Sequence, residues 1–291
     1  MSRSANLRGS LFMILSMAGF ALEDMLYKSA TLSLPPGQAL MLFGLGGTAV
    51  FAALAHRQGQ PVLTRAYLSR GLMTRSGIEL GGRLFYALAL AHADLATTSA
   101  ILQSTPLIVT LGAVLLFGES VGRWRWLAMV TGFCGVLMVL RPGTDAFTIG
   151  SVFAVLGTLG FAGRDLATRA APPSVGNLQL GVLGFAVMTL AGLVIHLVAG
   201  EQMQRPGLDA AGLLLATVVF GVIGYGSLTV AMRAGDVAVV APFRYTRLVF
   251  ALILAALVFG ERPDALTLIG AAVIVASGLV TLLRSRAGRA D

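Results

Sequence analysis

Four residues of one hydrophobic stretch, Arg75, Glu79, Arg83 and Tyr86, fall at i, i+4, i+8 and i+11. That spacing sets them on one stripe of an α-helix. Ionisable groups on an apolar helix point to recognition or gating of a charged ligand, or to an internal ladder in which Glu79 links the two arginines. Both readings are open. A second group, Arg244, Tyr245 and Arg247 behind Pro242, puts two guanidinium groups on one helical face, and a guanidinium can grip a carboxylate with two parallel hydrogen bonds. A third, with Ser16, Phe20, Glu23, Asp24, Tyr27 and Lys28, forms a broad face at the end of the first hydrophobic run. Glu23 and Asp24 diverge by ~100° around a helix. One of them is therefore expected to face the interior, Asp24 rather than Glu23 because Asp165 takes its place in the internal repeat of the chain; the alternative for both is a hydrated charge near the helix end. A fourth group holds Arg164, Asp165 and Arg169, the last reading as a helix-cap charge. The arginines beside Phe20, Tyr86, Tyr225, Phe243 and Tyr245 suit a ligand with a carboxylate and an apolar body.

The elements that carry these groups must be membrane helices. Of 291 residues 56% are hydrophobic and only 12% charged, with a mean hydropathy of +0.85, against about 25% charged residues in soluble domains. The net charge of +8 is scattered singly between apolar runs and forms no contiguous patch for nucleic acid. The single cysteine, Cys134, excludes an intrachain disulfide, and no Cys/His metal spacing is present. Arg3 and Arg8 before an apolar run resemble a signal peptide, but the run continues to Lys28 with no small-x-small cleavage site, so an uncleaved first helix is expected.

Crossing the hydrocarbon core takes ~20 apolar residues. Ten runs qualify, near 8–28, 38–55, 72–92, 95–117, 124–140, 148–169, 178–199, 210–232, 237–259 and 265–283. With the amino terminus in the cytoplasm, that side collects Arg3, Arg8, Arg57, Arg65, Arg70, Arg123, Arg125, Arg169, Arg233, Arg284, Arg286 and Arg289. The other side holds only Lys28, Arg141, Arg205 and Arg262. Positive residues accumulate on the cytoplasmic side, so both termini are expected there.

The chain also repeats itself. GFALEDMLYKS at 19–29 returns as GFAGRDLATRA at 160–170, and ADLATTSAILQSTPLIVTLGAVLLFGES at 93–120 aligns with GDVAVVAPFRYTRLVFALILAALVFGER at 235–262. Asp165 thus stands where Asp24 does, and Tyr225 where Arg83 does. Leu102 and Thr105, beside Gln103 and Ser104, stand where Arg244 and Arg247 do. Each half, 1–143 and 144–291, holds five spans. Five is odd, so the second half enters the membrane the other way up, the inverted-repeat plan of many secondary transporters.

Ten helices in two five-helix halves, each with a Phe-Gly-Glu element before its last helix (Phe117-Gly118-Glu119 and Phe259-Gly260-Glu261), resemble the drug/metabolite transporter superfamily, EamA type. The resemblance covers essentially the whole chain and is greatest to the YddG-type amino-acid exporters. It implies a basket of helices around a central cavity, with the fifth and tenth helices peripheral, and efflux of amino acids or similar metabolites.

The expectation is therefore an all-α integral membrane protein of a bacterial-type inner membrane. It has ten helices as two inverted repeats around a cavity, is monomeric, binds no cofactor or nucleic acid, and exports aromatic or apolar amino acids by alternating access. The cavity would be lined by Phe20, Asp24, Glu79, Arg83, Tyr86, Gln103, Arg164, Asp165, Tyr225, Arg244, Tyr245 and Arg247, with Glu79–Arg83 and Arg164–Asp165 as switchable contacts. No Gly-x-x-x-x-Gly-Lys-Ser/Thr loop is present for direct ATP drive. The alternatives are export or import of a sugar, nucleoside or drug, and an intramembrane enzyme. Ser227 in Gly-Tyr-Gly-Ser-Leu could be a nucleophile, but His56, His92 and His196 lie at or near helix ends, far from its depth.

Overall fold

The computed structural model describes residues 3–118, 122–144, 147–170, 175–234 and 240–287. Among these there is no strand, and eleven α-helical segments make ten spans. They are α1 (Arg3–Ala30), α2 (Pro36–Arg57), α3 (Arg70–His92), α4 (Leu95–Leu102), α5 (Thr105–Phe117), α6 (Arg123–Leu140), α7 (Ile149–Ala170), α8 (Asn177–Val198), α9 (Leu208–Ala234), α10 (Thr246–Phe259) and α11 (Ala265–Ala287). Among the described residues seven helical stretches are long and apolar enough to cross a membrane. α3 spans 23 residues, a sufficient length, but Arg75, Glu79 and Arg83 interrupt its apolarity. Glu119, Asp236 and Ala238, used above in aligning the halves, lie outside the described residues, as do Arg289 and the side chains of Arg125, Arg169, Arg233, Arg284 and Arg286.

Two spans read as continuous in the sequence are broken. The fourth divides into α4 and α5 at Gln103–Ser104. Pro106 has no N–H, so the Leu102 carbonyl loses its helical donor and takes the Thr105 hydroxyl instead, while Ser104 Oγ donates to the Ile101 carbonyl at 2.7 Å. In the ninth, a 3-10 turn, Ala241–Tyr245, around Pro242, precedes α10. The two breaks meet, with Gln103 Nε2 3.4 Å from the Arg244 carbonyl.

Helices pack as the inverted repeat requires: α1 lies along α9, α3 along α7, α2 along α8, and α6 along α11. The first two of these pairings have the same cause. A Cβ on Gly19 would come within 3.1 Å of Gly224 Cα, and a Cβ on Gly160 within 2.4 Å of Gly82 Cα. Gly19 and Gly160 are equivalent in the repeat, and so are Gly82 and Gly224. Backbones this close need small residues at both crossings. Gly77 and Gly81, on α3 with Gly82, have open space next to them. An aromatic stack of Phe43, Phe185, Phe51 and Tyr225, with centroids 5.2–5.5 Å apart, fills the bundle between α2, α8 and α9.

The Phe-Gly-Glu element has a local explanation in the second half. Gly260 ends α10 with φ 63° and Gly118 ends α5 with φ 64°, left-handed values that favour glycine. Glu261 then reaches across to the first half. Its two carboxylate oxygens accept from the Leu95 and Ala96 amides at 2.8 and 3.0 Å, capping the N-terminus of α4. Glu201 does the same for α2, through Gly37 N at 3.1 Å and Gln38 N at 3.3 Å.

Candidate functional site

Interior side chains of α1, α3, α7 and α10 form two ionic clusters, each built from both halves. In the first, Glu79 of α3 is 2% exposed and surrounded by guanidinium groups: Arg75 at 3.2 Å, Arg164 at 3.4 Å and Arg83 at 3.7 Å. Arg164 turns its other edge to Asp165, with Nη2 and Nε at 2.8 and 3.1 Å from one oxygen. Arg83 and Arg164 both approach the Phe161 ring, 5.7 and 5.3 Å from its centroid. In the second, Asp24 of α1 accepts from Arg247 Nη2 at 2.6 Å, Arg247 Nε at 3.2 Å and the Tyr86 hydroxyl at 3.0 Å. Arg247 also stacks over Phe20 at 5.3 Å and Tyr86 at 5.8 Å. Tyr86 meets Phe161 edge to face at 5.4 Å, which joins the two clusters.

The helix 3 stripe is thus a ladder, as one of the two readings held, extended by Arg164 from the other half. The contacts named as switchable need revision. Glu79–Arg83 lies within one helix and Arg164–Asp165 between neighbours in sequence, so both pairs move rigidly with their helices. Within the two clusters, the ion pairs that join the halves are Glu79–Arg164 and Asp24–Arg247.

Two arrangements differ further from the sequence reading. Glu23 is not hydrated; it is 7% exposed and Asp24 2%, because α1 is covered by α9 on one side and by α10 on another. Tyr245 points away from the arginines, toward α11, where a Cβ on Gly278 would collide with its hydroxyl. Tyr225 packs on Phe51. Gln103 contributes at the crossing of the broken helices. Arg244 is half-buried and, among the described residues, its guanidinium has no hydrogen bond or ion pair.

Phe161 and Lys28 were missed as positioning groups. Phe161 is part of the repeated Gly-Phe-Ala motif, which was the available signal. Lys28 Nζ donates to the Leu90 carbonyl at 3.2 Å and to the Ala93 carbonyl, with Phe259 at 5.4 Å. It satisfies the last carbonyls of α3 where Glu261 satisfies the first amides of α4. Next to this turn a cavity of about 460 Å³ is lined by His92, Asp94, Arg141, Ser151, Glu261 and Thr267, among others. Asp264 at its edge is bound by Arg141, whose guanidinium, with help from the Thr267 amide, holds that carboxyl far below the ordinary carboxylate range. Two of the three histidines are engaged at helix ends, His92 with the Leu88 carbonyl and His196 with Glu201.

A duplicated bundle with charges paired across its halves is matched twice by one family model, that of the EamA-like transporter family, over residues 7–141 and 148–283. The chain belongs to the EamA-like transporter family. Among its relatives, the pseudopaline exporter CntI of Pseudomonas aeruginosa is 30% identical, over 96% of this chain and 97% of that protein. A riboflavin transporter of Rhizobium johnstonii is 28% identical over 93% and 89%. An S-adenosylmethionine uptake transporter of Rickettsia felis is 26% identical over 73% and 70%. A solved crystal structure superposes with a TM-score of 0.66 over 98% of this chain and 99% of its own, at 21% identity, which supports the fold. This EamA-family protein is therefore a multi-pass membrane protein of a transporter family. These three relatives carry the names of three different cargoes, and none of the three is named as an amino-acid exporter of the YddG type.

Proposed function

We propose that this protein is a secondary transporter of the bacterial inner membrane that exports a small metabolite bearing a carboxylate, an amino acid with an aromatic or apolar side chain being the best fit. One observation carries the reading: Arg244 is half-buried and its guanidinium makes no hydrogen bond or ion pair among the described residues, beside a network in which every other interior arginine pairs with an acid. Taken together, Arg75, Arg83, Arg164, Arg244 and Arg247 outnumber Glu23, Asp24, Glu79 and Asp165 by one positive charge, and by two when Glu23 is protonated. A ligand carboxylate would balance that excess, and Phe20, Tyr86 and Phe161 offer apolar and cation-π surfaces for its body. In the cycle, Glu79–Arg164 and Asp24–Arg247 would break and re-form as the halves, 1–143 and 144–291, rock about their pseudo-twofold. Both termini would be cytoplasmic, as the arginine bias favours.

Carriage of another metabolite is the second reading, favoured by the exporter and the uptake protein found together among the relatives. Purified protein in liposomes, assayed for counterflow with labelled phenylalanine, other amino acids, riboflavin and S-adenosylmethionine, tests both. Saturable exchange of amino acids that is lost in Arg244→Gln supports the first. Exchange of the non-amino-acid compounds alone would overturn it.

A further inference from the structure

Glu23 is the one interior acid that receives no hydrogen bond and no ion pair among the described residues. Asp24, Glu79 and Asp165 each have a guanidinium within 3.2 Å. Glu23 nevertheless sits in a shaped site. Its Oε2 lies 3.2 Å from the point where a Cβ on Gly221 would stand, and the Phe43 ring is 2.9 Å from the same point. A Cβ at position 221 would press on the Phe43 ring and crowd the carboxyl by a few tenths of an ångström. Because Gly221 is glycine, α9 leaves a recess opposite α1, and Glu23 occupies it.

The groups around this recess explain why it is unusual. On α1 itself Asp24 is a second acid, so the two repel if both are ionised. From α3 come Arg83 and Tyr86, and from α10 Arg247, but Arg83 is directed to Glu79 and Arg247 and Tyr86 to Asp24. α9 presents Gly221, with Tyr225 one turn on, and α2 presents Phe43. Among the described residues no cation closes on Glu23. A buried ionised carboxylate that no cation pairs with is expensive at membrane depth, whereas a protonated one is an ordinary polar group. A carboxyl in such a place exchanges its proton when rearrangement of the halves wets the recess or frees Arg247 from Asp24.

We propose that Glu23 is a proton-binding site of the transport cycle, so that cargo movement responds to a pH gradient across the membrane. This rests on the transporter reading, but its first test does not require a known cargo. Infrared difference spectra of the reconstituted protein at neutral pH should contain a protonated-carboxyl stretch that is missing in Glu23→Gln and displaced in Gly221→Ala, which crowds the recess and keeps the acid. A spectrum with no such band, or with a band unaffected by either substitution, overturns the proposal.

The second test uses labelled phenylalanine in liposomes with an imposed pH gradient. One proton per cycle corresponds to up to about a tenfold change in driving ratio per pH unit, or about 1.4 kcal/mol. The wild type should show a several-fold response of either sign, and Glu23→Gln a ratio of about one. Phenylalanine exchange in the wild type that is indifferent to the gradient overturns the coupling. Absence of any phenylalanine exchange counts against the cargo reading, and the infrared band then decides the proton site alone.

Discussion

Arg247 gives Asp24 two hydrogen bonds and stacks on Phe20, while Arg244, three positions away, has no such partner, and the two should respond oppositely to substitution. Replacing one member of a buried ion pair strands the other and costs about 3–5 kcal/mol, so Asp24→Asn should markedly lower the unfolding temperature in detergent. Tyr86→Phe removes one hydrogen bond to a charged group and should cost about 1.5–3 kcal/mol. Arg244→Gln strands nothing; it should leave the unfolding temperature unchanged or raise it, yet reduce counterflow of the cargo at least about tenfold, the equivalent of 1.4 kcal/mol of binding. A stable, fully active Arg244→Gln protein would remove that residue from recognition. At the bundle's end, Asp264 obeys a different rule because it is exposed to water. Its carboxyl is depressed by Arg141, so the link stabilises the fold fully above a pH of about 4 and loses its effect as the pH falls toward the depressed value. Asp264→Asn should therefore lower the unfolding temperature slightly at neutral pH, and the difference should close in strong acid.

The contrast between Gly160 and Gly81 locates packing in particular elements. Gly160→Leu should separate α7 from α3, break the Glu79–Arg164 contact and sharply reduce the yield of folded protein. Gly81→Leu, with open space beside it, should be tolerated; equal behaviour of the two would mean that the helices do not cross at Gly82. Glu261→Gln should cost about 1 kcal/mol through the lost charge at the N-terminus of α4, seen as a lower unfolding temperature. Span count, repeat and the one-sided stripe of α3 were legible in the sequence because apolar run length, self-similarity of the two halves and helical spacing are each written directly in the order of residues. The breaks in the fourth and ninth spans were less so. Apolar runs such as 95–117 continue through them, and the effect of Pro106 depends on which hydroxyl replaces its missing donor. Burial of Glu23 was hidden for a related reason: nearness to a helix end along the chain does not reveal that α9 and α10 cover both sides of α1.

Across the whole molecule, both ionic clusters connect one half to the other, and the two broken helices cross between them. In the proposed cycle these contacts would have to break for either side to open widely. The distribution of charge also belongs at this scale. The equivalence of Asp24 and Asp165 in the repeat is positional, for Asp24 is held by Arg247 across the halves and Asp165 by its own neighbour, so the two positions differ chemically. The most direct test of alternating access places a reporter where the broken helices meet. With Cys134→Ser removing the lone native thiol, Gln103→Cys would be labelled with a membrane-impermeant maleimide from each face of oriented vesicles, with and without a cargo gradient. Alternating access predicts labelling from either face, with reversal of the gradient raising the rate on one side and lowering it on the other. A folded, transporting protein labelled from neither face, or from one face at a rate no gradient changes, would contradict it.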